Sequence, residues 1–411
     1  MTGPLRAYAA VTAAYWAFML TDGALRMLVL LHFHSLGFTP LQLAWLFLLY
    51  EVAGIVTNLT AGWLGQRFGL ALTLKLGLAV QIAALAALTF VDASWTLPVS
   101  VAYVMAVQGA SGVAKDLAKT ASKSAVKLLA PEGRGLFRWV AALTGSKNAV
   151  KGLGFFLGAG LLAATGFAPA LWAMAAALAG VLAAILLFLP DGLSMRDKGA
   201  KFSRMLSPDP RVNWLSAGRV MLFGARDVWF VVALPIWLTD YLTGGAASQD
   251  GAFYATGAFM ALWIVGYGLV QALTPRIMGE GSARAAAFWA AGLATIPAGL
   301  AAWLWAGGGA AGPVLVGLMA FGAVFAVNSA LHSWLILTFT RAVRVTMDVG
   351  FYYMANAGGR LVGTVLSGAT YQLGGLPLML GCATAMVAAS ALAAGRLRAP
   401  EAISSTPVGH A

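Results

Sequence analysis

The chain has 411 residues, of which 60% are apolar and only 10% charged, with a formal net charge of +12. A soluble domain of that size needs far more charge to face water, so the surplus apolar surface must face lipid. The basic balance would suit a nucleic-acid binder, but the placement of the charges excludes it and assigns them to membrane topology. A span needs roughly 20 apolar residues, and at about 34 residues per helix plus connection the chain holds about twelve of them.

The apolar stretches predict spans at 8–34, 41–66, 70–91, 95–119, 136–164 and 168–190. A second set follows at 211–240, 252–275, 284–306, 311–339, 347–372 and 376–395. The first span reads as uncleaved, because no compact basic segment with a short apolar core and cleavage site precedes it. The longest polar interruption, 191–210, carries Arg196, Lys198, Lys201 and Arg204 and reads as a basic cytoplasmic linker. It divides an N-terminal six-helix bundle, 1–190, from a C-terminal one, 211–398, with a cytoplasmic tail at 399–411. The expected connections near 35–40, 92–96, 165–168, 241–251, 307–312 and 373–376 contain no Lys or Arg. The opposite set holds Arg67, Arg134, the linker cluster, Arg276, Arg341 and Arg344. Basic loops stay inside, so both termini are expected in the cytoplasm.

The halves echo each other. Asn148 and Gly160 in the fifth span recur as Asn356 and Gly368 in the eleventh at one constant offset. The first and seventh spans each carry an acid with an Arg: Asp22 with Arg26, then Arg226 with Asp227. Parallel six-helix repeats are the plan of the major facilitator superfamily, an all-α membrane fold of twelve helices in two pseudo-symmetric bundles. Gly62-Trp63-Leu64-Gly65-Gln66-Arg67-Phe68-Gly69 resembles that superfamily's gating loop, with Gln66 in place of the acid and Leu70 in place of the second Arg.

Charges inside spans are costly and mark pathways. Arg26, Lys115, Lys147, Lys151, Arg226 and Arg360 are expected near the midplane, against Asp22, Asp116 and Asp227. Such an excess favours a multiply charged anion and repels cationic drugs. Arg suits bidentate recognition of an oxyanion, and Lys adds a mobile point charge. The expected substrate contacts are therefore Arg26, Lys115, Lys147, Asn148, Lys151, Arg226, Asn356 and Arg360. Asp22, Asp116 and Asp227 are read as proton carriers or as structural ion pairs. Lys147 and Lys151 stand out because no acid lies nearby in their own helix. Lys119, Lys123 and Lys127 suit snorkelling at a helix end. Glu51 and Asp348 are expected near helix ends or in local pairs, and His32 and His34 in solvated positions. His332 is a lesser coupling candidate. Gly154 with Gly158, and Gly359 with Gly363, put small residues one turn apart for close helix packing. No catalytic or nucleotide-binding motif and no metal-ligand cluster stands out, so neither an enzyme nor a cofactor is expected.

Several stretches resemble the ArsJ-type organoarsenical efflux permeases of bacterial arsenic-resistance systems. They include Thr21-Asp22-Gly23-Ala24-Leu25-Arg26-Met27-Leu28, Ala114-Lys115-Asp116-Leu117 and Leu143-Thr144-Gly145-Ser146-Lys147-Asn148-Ala149. The second half adds Phe223-Gly224-Ala225-Arg226-Asp227-Val228-Trp229 and Asp348-Val349-Gly350-Phe351-Tyr352-Tyr353-Met354-Ala355-Asn356-Ala357. The similarity runs along nearly the whole chain. It implies an exporter of 1-arseno-3-phosphoglycerate in the bacterial inner membrane. It also implies a functional partnership with a glyceraldehyde-3-phosphate dehydrogenase, which makes that ester. Since no nucleotide-binding domain is read, a secondary mechanism is expected, with proton exchange through Asp22, Asp116 or Asp227. The charges alone fit equally a phosphate-ester or other organic-anion exchanger without arsenic specificity.

Overall fold

A computed structural model describes residues 3–68, 70–92, 94–129, 134–188, 207, 209–245, 247–278, 282–340 and 345–397. Side chains at 3–8, 59, 61–68, 70, 123–129, 134–145, 277 and 345–347 lie outside the description. Every described element is a helix. In the first half these are α1 (Gly3–Ser35), α2 (Pro40–Leu46), α3 (Leu48–Phe68), α4 (Leu70–Leu88), α5 (Leu97–Leu129), α6 (Arg134–Thr165) and α7 (Phe167–Phe188). The second half has α8 (Pro210–Phe230), α9 (Ala233–Gly244), α10 (Gln249–Met278), α11 (Ala283–Trp305), α12 (Ala311–Phe339) and α13 (Val345–Gly395). Among the described residues, eleven segments are long and apolar enough to cross a membrane. The last, Asp348–Gly395, bends at Gly374 and Gly375 and holds two spans, which makes twelve. Gly375 has φ +61°, a conformation only glycine adopts without strain, and Pro377 follows it.

Two expected spans are each built from two helices. α2 begins with a capping box, Thr39 with Gln42, and meets α3 at Phe47. The seventh span breaks at Val231 and Val232, just before Pro235. Proline offers no N–H and crowds the carbonyl four residues back, so the α8 helix cannot run through. The break leaves the Ala233 N–H without a helical acceptor, and it donates to the Ser367 hydroxyl at 3.1 Å. The fourth span extends further than expected, to Leu129.

Glycine sets the approach of α1 to α6 and of α8 to α13. A Cβ on Gly154 or Gly158 would enter the Leu20 or Ala24 carbonyl of α1. One on Gly359 or Gly363 would enter the Val220 or Gly224 carbonyl of α8. Both halves thus repeat one crossing between their first and fifth spans. Large apolar side chains point outward on α7, α11 and the end of α13, as Leu187, Phe288 and Leu392 show. That is the arrangement lipid requires.

The halves also meet each other. α6 packs along α10, where Gly257 abuts Phe155 and Ala159, and Tyr254 abuts Gly160. At the same end, His34 bonds Asp240 at 2.7 Å, the Leu41 N–H donates to Gln372 at 3.1 Å, and Gly368 lies against Pro40 and Leu41. This is the end whose loops lack Lys and Arg. His34 is therefore tied across the halves, and His32 is stacked on Phe167, with ring centroids 3.9 Å apart and planes 12° apart. Both departures from solvated positions have one cause: at this end α1 is enclosed by α7 and α9. The expected linker lies outside the described residues at 191–206 and Pro208, as does the tail at 399–411.

Candidate functional site

Charged residues from α1, α3, α5, α6, α8 and α13 come together where the halves meet. The centre is a continuous chain of ion pairs. Arg26 donates to Glu51 Oε1 at 2.7 Å, and Arg360 donates to that same oxygen at 2.6 Å. Arg360 Nε also reaches Asp227 Oδ2 at 3.2 Å, and Asp227 Oδ1 accepts from Arg226 at 2.6 Å. Three arginines and two carboxylates thus join α1, α3, α13 and α8. Glu51 is 1% exposed and Asp227 is fully buried.

Tyr50 organises the adjoining part. Its hydroxyl donates to Asp22 Oδ1 at 2.5 Å, and Lys151 donates to Asp22 Oδ2 at 2.8 Å. The Lys115 ammonium lies over the Tyr50 ring, 3.9 Å from the centroid, and the Arg26 guanidinium lies 4.9 Å from it. Among the described residues no carboxylate pairs with Lys115 within salt-bridge distance, and its ammonium rests on the ring face. Asp116 accepts from Lys119 and from the Thr57 hydroxyl, each at 2.5 Å, and Lys119 also donates to Asn58 at 2.8 Å. Lys147 lies partly buried one turn before Lys151 on α6.

The positions expected from sequence fall into groups. Asp22, Arg26, Lys115, Lys151, Arg226, Asp227 and Arg360 converge on this cluster, and Asp116 lies beside it on α5. Asn148 and Asn356 belong to a second polar group, bonded respectively to Gln271 at 3.4 Å and to Arg219 at 2.9 Å. Gly62, Gly65 and Arg67 of the gating loop are in α3 with side chains outside the description, and Gly69 lies outside the described residues.

Two expectations need correction. Glu51 does not pair locally: its partners come from positions 26 and 360, so it ties the halves together. Its place well inside the expected 41–66 span was the available signal. Asp22 and Arg26 do not pair with each other, although they share a helix face. Each finds a better partner across a helix interface, Lys151 for Asp22 and Glu51 for Arg26. Arg226 and Asp227 do pair, with Arg360 added from α13. Arg219 also belongs to the polar interior, 5% exposed, and its position inside the expected 211–240 span signalled it.

The balance of charge is positive. Among the described residues of these groups, seven buried or half-buried cations, Arg26, Lys115, Lys119, Lys151, Arg219, Arg226 and Arg360, face four carboxylates, Asp22, Glu51, Asp116 and Asp227. Asp348 is a further buried carboxylate on α13. Burying an uncompensated cation is costly, so such an excess is retained where an anion completes it.

No protein-family model matches the chain, and no curated protein sequence matches it. Solved structures do. The nucleoside transporter NupG aligns with TM-score 0.72 at 12% identity, covering 97% of this chain and 98% of its own. A POT family transporter in complex with 5-aminolevulinic acid aligns with TM-score 0.72 at 14% identity, covering 94% and 95%. A POT family transporter in complex with a thioalcohol-conjugated peptide gives TM-score 0.71 at 13% identity, covering 94% and 95%. The fold is that of the major facilitator superfamily. At these identities the likeness fixes the architecture and leaves the solute to the site.

Proposed function

We propose that the chain is a secondary active exporter of a small, multiply charged organic anion, working by alternating access in the bacterial inner membrane. The observation that carries this reading is the excess of buried and half-buried cations where the halves meet, with Arg26 and Arg360 sharing the single carboxylate of Glu51. A solute carrying oxyanion groups supplies what that junction lacks. The resemblance to the ArsJ-type permeases then selects 1-arseno-3-phosphoglycerate, delivered by a glyceraldehyde-3-phosphate dehydrogenase. The solved structures of the same fold, a nucleoside transporter and a POT family transporter in complex with 5-aminolevulinic acid, support small-solute transport as the general activity.

In this reading 1–190 and 211–398 rock against each other, joined by the basic linker 191–210. The segment with Gly62, Gly65, Arg67 and Gly69, at the end of α3, serves as the cytoplasmic gating element. Arg26, Lys115, Lys147, Asn148, Lys151, Arg226, Asn356 and Arg360 take the anionic groups. Asp22, Asp116 and Asp227 exchange protons as their cationic partners turn to the solute. The end closed by His34 and Asp240 is the outer face, so the described conformation is closed to the outside.

The test is arsenate resistance and arsenic efflux in an arsenic-sensitive bacterium expressing this chain with and without glyceraldehyde-3-phosphate dehydrogenase. Resistance only when both are present is expected. No protection from protein verified in the membrane would remove the arsenical assignment. The Lys147→Ala, Lys151→Ala double variant should reach the membrane and fail to transport; wild-type efflux from it would sink the site. Inhibition by 3-phosphoglycerate in cells without arsenate would favour general phosphate-ester exchange instead.

A further inference from the structure

We infer that Arg219 is the centre of a second oxyanion-binding subsite, separate from the Arg26–Glu51–Arg360 junction. Arg219 stands on α8 and is 5% exposed, yet among the described residues no carboxylate pairs with it within salt-bridge distance. Its Nε donates to the Asn356 side-chain oxygen at 2.9 Å. Nη1 reaches the Ser329 carbonyl at 3.3 Å and the Ser329 hydroxyl at 3.4 Å. Nη2 has no acceptor among the described residues. The cation's other contacts are aromatic: Phe223 at 3.8 Å and Tyr352 at 4.9 Å from the guanidinium carbon.

A guanidinium held only by neutral groups keeps its full charge and its outer donors for a ligand. The surroundings are neutral polar groups and aromatic rings and not a structural ion pair. Ser329 also meets Tyr267 at 3.3 Å and Gln271 at 3.4 Å, and Gln271 accepts from Asn148 at 3.4 Å. A row of neutral donors and acceptors thus runs from α6 through α10 and α12 to Arg219 and Asn356, joining the two asparagines that the sequence repeat relates. Arg219 and Ser329 are buried, whereas Asn148, Gln271 and Asn356 keep partial exposure, so the row leads from an accessible edge to the cation. Three residues after Ser329, His332 is fully buried beside Gly218, its two ring nitrogens without a partner among the described residues. It adds no negative charge that would satisfy the arginine.

Phe223 separates this subsite from the ion-pair chain. Its ring lies 3.8 Å from the Arg219 guanidinium carbon and 5.0 Å from that of Arg226. Two cationic centres flanking one apolar ring match a short solute with an anionic group at each end and a carbon backbone between them. The subsite's role in transport rests on the anion-exporter reading above; its capacity to hold an oxyanion does not.

Equilibrium binding of radiolabelled inorganic phosphate to the purified full-length chain in lipid nanodiscs tests the assignment. The wild type should bind at two sites. Arg219→Gln should lose one and keep the other within about twofold of its wild-type affinity, while Arg360→Gln should lose the other. Arg219→Lys cannot keep the bonds to Asn356 and Ser329 together, and its second phosphate should bind about tenfold or more weakly. That variant carries the same comparison should Arg219→Gln fail to elute as folded protein. Two undiminished sites in both Arg219 variants, or a single wild-type site abolished by Arg360→Gln alone, would overturn the subsite. 3-Phosphoglycerate should displace both phosphates, and displacement of only one would refute occupation by a single solute. Two phosphate sites without arsenical efflux in cells would discard the arsenical reading and leave the subsite standing.

Discussion

In the first six spans the buried cations are mostly answered by carboxylates: Lys151 by Asp22, Arg26 by Glu51, Lys119 by Asp116. Deeper in the second half, Arg219 is answered by an amide, a hydroxyl, a carbonyl and two aromatic rings. Both arrangements satisfy hydrogen bonding. They differ in what an arriving anion meets, because a carboxylate must be displaced whereas neutral dipoles can turn and stay. On the proposed reading, one protein therefore offers a contested anion site at the junction and an uncontested one beside it.

The comparison breaks most readily at Arg360, which serves Glu51 and Asp227 at once. Arg360→Gln leaves both carboxylates short of a partner, and removing one member of a buried pair costs roughly 3–5 kcal/mol. Efflux from cells or uptake into everted vesicles should fall about 100-fold or more, with the protein still in the membrane. Glu51→Gln keeps the shape but removes the negative charge between two guanidiniums. Transport should fall about 10- to 100-fold, and the melting temperature of the purified protein should fall with it. A rate near wild type would show that the link between Arg26 and Arg360 is incidental.

Smaller effects probe the scaffold. Gly158→Ala drives a methyl into the Ala24 backbone and should destabilise by roughly 1–3 kcal/mol, read as a lowered melting temperature. Gly180→Ala, with nothing near its added methyl, should be neutral or stabilise by roughly 0.5–1 kcal/mol. Equal losses from both would deny the α1–α6 crossing its close fit. Smallest of all, His34→Gln removes a partly exposed pair with Asp240 and should change transport by about twofold or less, since such pairs contribute little.

The architecture was legible because lipid imposes one rule on every span: an apolar stretch of sufficient length, ended by turn residues. Even the Gly154–Gly158 and Gly359–Gly363 contacts could be read, since small residues one turn apart leave a groove whatever fills it. The pairing of charges could not. Periodicity places Asp22 and Arg26 on one face of a helix, but Lys151 lies 129 residues from Asp22 and Arg360 lies 309 from Glu51. Only packing decides which face meets which. The same limit hid the break before Pro235, whose cost depends on whether a hydroxyl such as Ser367 is there to take the Ala233 N–H. The gating-loop side chains lie outside the described residues, so that expectation stands as read from sequence.

If the chain exports an anion as proposed, Glu51 bears on the protein between cycles. A carboxylate fixed between Arg26 and Arg360 acts as a tethered competitor, present at an effective concentration of the order of millimolar or above. Any solute must outbid it to bind, and it is waiting to return when the solute loosens. A bound anion is thereby weakened without a single contact being removed. For the proposed exporter, which must let go on the far side, holding its own substitute ligand turns release into an exchange and spares the unloaded protein a bare pair of positive charges.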